Sequence, residues 1–184
     1  MYKKVGKKLS VFIILLMLIS GLSGCGSTPA LSDKYLVGTT YGGTCWGDFY
    51  DSLDGTVKIC KDGTIEVYMP ELESDGQTVK EDVYVETLTL TEEQYRAIES
   101  AVRLDKLYHL DPKPSKDILD GYSSYLILYG KSDQVLKECG GYMPQNEKFM
   151  EMHDAVTKNL PMDELHEIRN EWIEELREKG EENQ

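Results

Sequence analysis

The stretch Val57 to Met69, VKICKDGTIEVYM, leaves this chain the least freedom of any segment in it. Apolar and polar residues alternate on both sides of Lys61-Asp62-Gly63, the period-two pattern of a strand with one buried face. Those three residues can close a type I turn followed by Gly63 in the left-handed region. Counting outward then sets Cys60 against Thr64, Ile59 against Ile65, Lys58 against Glu66 and Val57 against Val67. Apolar meets apolar and Lys meets Glu, whereas a two-residue Asp-Gly turn would set Ile59 against Glu66.

The hairpin extends upstream if CWGDFY, Cys45 to Tyr50, is a strand that returns across DSLDG. Pairing Tyr50 with Thr56 puts Phe49 opposite Val57 and Asp48 opposite Lys58, so Trp46, Asp48 and Tyr50 share the other face. Glu71 to Asp82 reads as an acidic, turn-rich connection to the strand VYVETLTL. Thr91 and Gln94 form a capping box, and Tyr95, Ile98 and Val102 mark the inner face of a helix ending near Leu104. LYHLDPKPSKD reads as a proline-stiffened loop. GYSSYLILYG and QVLKECGGY form a second hairpin, turned at Gly130 to Asp133. Pro144 suits the first residue of another helix, with Phe149, Met152, Val156 and Leu160 inward. Pro161 breaks it, and Leu165, Ile168, Trp172 and Leu176 mark a third helix.

Strands therefore separate from helices, which predicts an α+β fold: an antiparallel β-meander with hairpins and two or three helices packed on one side. The body runs from 35 to 161, and 162–184 reads as an amphipathic helix with an acidic tail. That helix is also a candidate docking surface for a partner, provided Leu165, Ile168 and Trp172 stay clear of the sheet.

The amino terminus reads as an address. MYKKVGKK is cationic, VFIILLMLIS is an apolar core of about ten residues, and Ser20 and Gly21 interrupt it. A stable transmembrane helix needs about 20 apolar residues. Leu22-Ser23-Gly24-Cys25 stands where a cleavage site belongs, and it resembles the lipobox of bacterial lipoproteins. The resemblance implies that residues 1–24 are a signal peptide, and that Cys25 carries a diacylglyceryl group and becomes the first residue. Acylation implies palmitate-type chains, and two chains anchor stably where one binds marginally. The implied location is the outer face of the cytoplasmic membrane, or the outer membrane in a Gram-negative source. Residues 25–34, rich in small and turn-forming types, read as a flexible tether. The order of strands and helices, with GYSSYLILYG, CGGYMP and a closing helix, is similar to small Gram-positive lipoprotein domains of unassigned function, over roughly residues 54 to 161.

Charge narrows the partners. The chain has 20 basic and 33 acidic residues; residues 1–24 hold four of the bases and no acid, so the remainder carries −17. Such a body repels phosphate backbones, which argues against nucleic acid. With Cys25 lipidated, Cys45, Cys60 and Cys139 remain, an odd number that cannot all pair.

No residue pattern nominates a catalytic centre. His109, His153 and His166 fall on separate elements, Ser123 and Ser124 lack the G-x-S-x-G elbow, and no metal-ligand or cofactor motif is present. Asp48, Asp51 and Asp54 read as turn residues ahead of a calcium loop. The candidate binding residues are Trp46, Tyr50 and Asp48, because rings beside carboxylates can stack on sugar faces. The expected function is a non-catalytic binding or interaction module at the cell envelope, its partner a cell-wall glycan or an envelope protein. The alternative is an envelope hydrolase with His153 or His109 as base.

Overall fold

The computed structural model describes residues 30–43, 47–111, 123–142 and 144–182. The lipobox with Cys25, Cys45, Trp46 and the prolines of the 112–122 segment lie outside them. Among the described residues six strands form one antiparallel sheet: β1 (Tyr35–Tyr41), β2 (Gly55–Cys60), β3 (Thr64–Leu72), β4 (Val79–Thr89), β5 (Ser123–Tyr129) and β6 (Val135–Tyr142), in the order β4-β3-β2-β1-β5-β6. Among the described residues four α-helices accompany it: α1 (Glu92–Ala101), α2 (Leu104–His109), α3 (Glu147–Lys158) and α4 (Met162–Glu182). This is the α+β fold expected from the sequence.

The β2–β3 hairpin has the register read from its sequence: Ile59 faces Ile65, Lys58 faces Glu66 and Val57 faces Val67. Gly63 takes φ +87° and donates its N–H to the Cys60 carbonyl at 3.1 Å. The other neighbour of β2 differs from expectation. It is YLVGTTY, with Val37 opposite Ile59 and Thr39 opposite Val57, and not CWGDFY. Residues 50–52 instead make a single 3-10 turn. Local bonds account for this. The Asp51 N–H donates to Asp48 Oδ1 at 3.1 Å and Ser52 Oγ donates to the Phe49 carbonyl at 2.6 Å, so polar side chains satisfy backbone groups that a ladder would have used. β1 gains partners on both sides, since Gly38 also faces Ile127 of β5, and it is buried along nearly its whole length.

The end of the expected tether is not free. Leu31 bridges Gly130, the Ser32 N–H donates to the Tyr129 carbonyl at 2.8 Å, and Ser32 Oγ accepts from the Tyr35 N–H at 2.9 Å. These bonds fasten residues 30–34 beside the β5–β6 turn.

The capping box at Thr91 and Gln94 is present, with Ile98 and Val102 buried. Part of the expected loop is helical: α2 buries Leu107, and Lys137 Nζ donates to the carbonyls of Tyr108 and Leu110 at 2.6 Å each, which satisfies its C-terminal end. Pro144 is not helical; α3 starts at Glu147 because Asn146 Oδ1 accepts the Phe149 N–H and caps it.

One face of the sheet carries the main core. Val37, Val57, Ile59, Ile65, Val67, Met69, Leu126 and Leu128 pack there against Ile98 of α1, Leu107 of α2, Phe149 and Val156 of α3, and Leu165 of α4. Ile168 and Trp172 pack against the same cluster, so α4 spends its apolar face on its own chain and the docking-helix reading is overturned.

The opposite face has a smaller cluster of Tyr35, Cys60, Ile127 and Tyr129. Lys58 lies over the Tyr68 ring at 3.9 Å. Glu66 accepts from Tyr35 and Tyr68 at 2.7 and 2.9 Å and pairs with Lys34 at 2.6 Å. Burial pushes the Glu66 carboxyl up, but these donors outweigh it and hold its pKa below the usual range.

Candidate functional site

α4 crosses the sheet toward the end where β3 and β4 meet, and a groove opens there. It lies between the β3–β4 tip (residues 73–78), the 3-10 turn and the C-terminal half of α4, with a volume of about 450 Å³. Its apolar wall is Phe49, Tyr50, Leu72, Trp172 and Leu176; Glu71, Glu73, Asp75 and Lys179 supply the charged rim. Small-molecule sites typically occupy roughly 300–1,000 Å³ with an apolar lining and a few polar groups.

Each ring has a reason for its place. Trp172 Nε1 donates to the Pro70 carbonyl at 2.9 Å, which ties the indole to β3. Phe49 and Tyr50 meet edge to face, centroids 5.6 Å apart. The Tyr50 hydroxyl lies against Gly180, where a Cβ would stand 2.5 Å from the oxygen. Only glycine in the last turns of α4 admits that approach.

The turn that carries Phe49 and Tyr50 is held by two arginines of α4. Arg169, only 8% exposed, donates Nε to the Leu53 carbonyl at 3.0 Å and Nη2 to the Asp51 carbonyl at 2.7 Å. Arg177 pairs with Asp51 at 2.9 Å and with Asp48 at 3.3 Å. Leu53, Ile173 and Leu176 close a small apolar cluster beneath. The Asp51 N–H, and then Arg177, hold the Asp48 carboxyl below the usual range. Glu174 first and Asp51 next push the Arg177 guanidinium up.

Among the expected site residues, Tyr50 lines the groove. Asp48 does not; it fastens the turn to α4. Trp46 lies outside the described residues, and the shared strand face assigned to the three does not form, because residues 48–50 are not a strand. Sequence reasoning placed Phe49 and Trp172 in the core and so missed them as groove residues. Nothing local could have joined them to Tyr50, since Trp172 is reached only through the packing of α4.

The other candidate chemistries are occupied by structure. Asp48 and Asp51 serve each other's backbone N–H groups, and Asp54 Oδ1 accepts the Gly43 N–H at 2.7 Å. Among the described residues no group of three or more His, Cys, Asp or Glu is placed to share a metal ion. His153 stacks on Phe149, centroids 5.7 Å apart, its Nδ1 has no hydrogen-bond partner, and burial pulls its pKa down. Cys60 and Cys139 are unpaired and buried, and burial pushes both thiols up. No described helix is long and apolar enough to cross a membrane. The chain matches no known protein family, no curated protein and no solved structure.

Proposed function

We propose that this chain is a lipid-anchored, non-catalytic binding module at the outer face of the cytoplasmic membrane, and that the groove beside Tyr50 is where it binds. The groove itself carries the reading: three rings, Phe49, Tyr50 and Trp172, converge with carboxylates in one concave site. Aromatic rings supply large contact area with little entropy to lose. The alternative, a histidine-based hydrolase, gains no support from the geometry. His153 stacks on Phe149 with the Asp154 carboxylate 3.8 Å from its Nδ1, and the Tyr108 ring lies beside His109; among the described residues none of these contacts is a nucleophile for a base to activate.

Anchoring at Cys25 suits the arrangement of the body. The chain enters at Ala30 and Leu31, beside the β5–β6 turn, and the groove lies past Leu72, at the opposite end of β3. Nine residues of strand span about 30 Å. A bilayer anchor at the first end would aim the groove away from the membrane and toward the cell wall.

Two measurements test the parts separately. Cys25→Ser is expected to abolish incorporation of labelled fatty acid and release the protein from membranes; labelling of that variant would refute the anchor. With the anchor removed, co-sedimentation with cell-envelope preparations is expected to fall several-fold in Tyr50→Ala, and equal co-sedimentation would refute the groove.

A further inference from the structure

A strand at the edge of a sheet turns alternate backbone N–H and C=O groups away from its one neighbour. The order β4-β3-β2-β1-β5-β6 leaves two such edges, β4 and β6. β4 is the longer, with 11 residues against 8, and none of its residues is buried. Among the described residues no hydrogen bond reaches the β4 backbone from outside its ladder with β3. β6 offers a less regular edge, since Gly140 and Gly141 take φ +129° and +133°.

Side chains mark the same edge. Among the described residues three large apolar side chains stay exposed, all on edge strands: Val79 and Tyr84 on β4, and Val135 on β6. Beside Val79 and Tyr84 stand Glu81, Asp82 and Glu86, with Lys80 as the one base of the strand. Lys80 pairs with Glu71 at 2.7 Å and Glu81 at 3.6 Å. Asp82 accepts from the neutral Thr56 hydroxyl at 3.1 Å and so keeps its charge, and Glu86 is exposed.

Those charges decide what can add to the edge. A second copy laid antiparallel in full overlap would set Tyr84 against Tyr84 and Asp82 against Glu86 twice over. Like charges directly opposite each other destabilise a ladder. The acids, with the register shifts at Val67/Tyr68 and Glu71/Leu72, guard the edge against its own kind. A strand with bases opposite those acids meets attraction where a second copy meets repulsion.

We infer that β4 is the docking edge for an extended, Lys- or Arg-bearing segment of a partner polypeptide, which adds to the sheet as a seventh strand. Backbone hydrogen bonds hold the segment, and its bases face Asp82 and Glu86. Of β4 only Val83 lines the groove beside Tyr50, and the inference stands whether or not that groove binds.

The test is calorimetric titration of the full chain with a nonapeptide of lysine alternating with valine. Two controls accompany it: the same peptide with glutamate for lysine, and the lysine peptide N-methylated at every backbone amide, which keeps all its charges. The lysine peptide is expected to bind and the glutamate peptide not to. N-methylation is expected to cost about ten-fold or more in affinity, because the donors that a ladder needs are gone. Glu86→Lys is expected to weaken binding about five-fold, and Tyr50→Ala to leave it unchanged. Hydrogen exchange should slow in residues 79–89 when the peptide is added, and not in residues 135–142. Equal binding of the methylated or the glutamate peptide, unslowed exchange in 79–89, or no binding of the lysine peptide overturns the inference. Loss of binding in Tyr50→Ala moves the peptide to the groove and overturns it too. A dimer in sedimentation with 79–89 already protected gives the edge to a second copy, and the inference falls.

Discussion

Replacing Arg169 by methionine isolates the clasp that sets the groove in place. The thioether chain keeps most of the apolar stem and removes both guanidinium hydrogen bonds. The two carbonyls it served are not equivalent. That of Asp51 sits on a half-buried residue and can be rehydrated, at little cost. That of Leu53 belongs to a residue 5% exposed, and an orphaned buried acceptor costs about 1–3 kcal/mol. Methionine returns the desolvation that the buried guanidinium carried, which trims the total. The net expectation is a loss of about 2 kcal/mol, or about 4–8 °C in melting temperature for a chain of this size. Urea denaturation followed by circular dichroism measures it, with unchanged slope of the transition. Ligand binding should fall further than stability, because Phe49 and Tyr50 ride on the released turn. A midpoint within experimental error of the unaltered protein, with binding intact, would refute the claim that Arg169 holds the site.

Three other perturbations reach other parts of the argument. His153 is held neutral by burial, against the opposing pull of Asp154, so the unfolded chain binds more protons below its ordinary value of about 6.5. Stability should therefore fall as pH drops from about 6.5 through the lower folded value, and His153→Phe should flatten that segment in urea midpoints taken at successive pH values. Leu165→Ala should cost about 2–5 kcal/mol in the same assay, as for other fully buried leucines; a change under 1 kcal/mol would mean that α4 is not part of the core. Gly180→Ala should raise helix stability slightly, by up to about 1 kcal/mol, yet weaken groove binding by displacing Tyr50. Tighter or equal binding in that variant would contradict the close packing seen there.

What could be read from the chain alone is what short-range chemistry decides. The β2–β3 register followed from a turn and a period-two pattern, both contained in thirteen residues from Val57 to Met69. The capping box at Thr91 and the inner face of α3 followed from spacings of three and four. Fold class came from the order of those elements. β1 escaped because Gly38, Thr39 and Thr40 lack strong alternation; its strand state depends on being sandwiched between β2 and β5, and Thr39 is paid for by a bond to the Tyr125 carbonyl, 86 residues away. CWGDFY misled in the opposite sense. Its aromatics suit a strand, but Asp48 and Ser52 turn the backbone of residues 48–52 on itself.

The groove marks the same division. Tyr50 stood out in the sequence because rings and carboxylates cluster around it. Its partnership with Trp172 and Gly180, and the clasp through Arg169 across 116 residues, arise only when α4 lies down on the end of the sheet. Turns, caps and periodicity are energies between near neighbours and leave a trace in local pattern. A concave site is the space left between elements that meet late in the chain, and no local interaction encodes it.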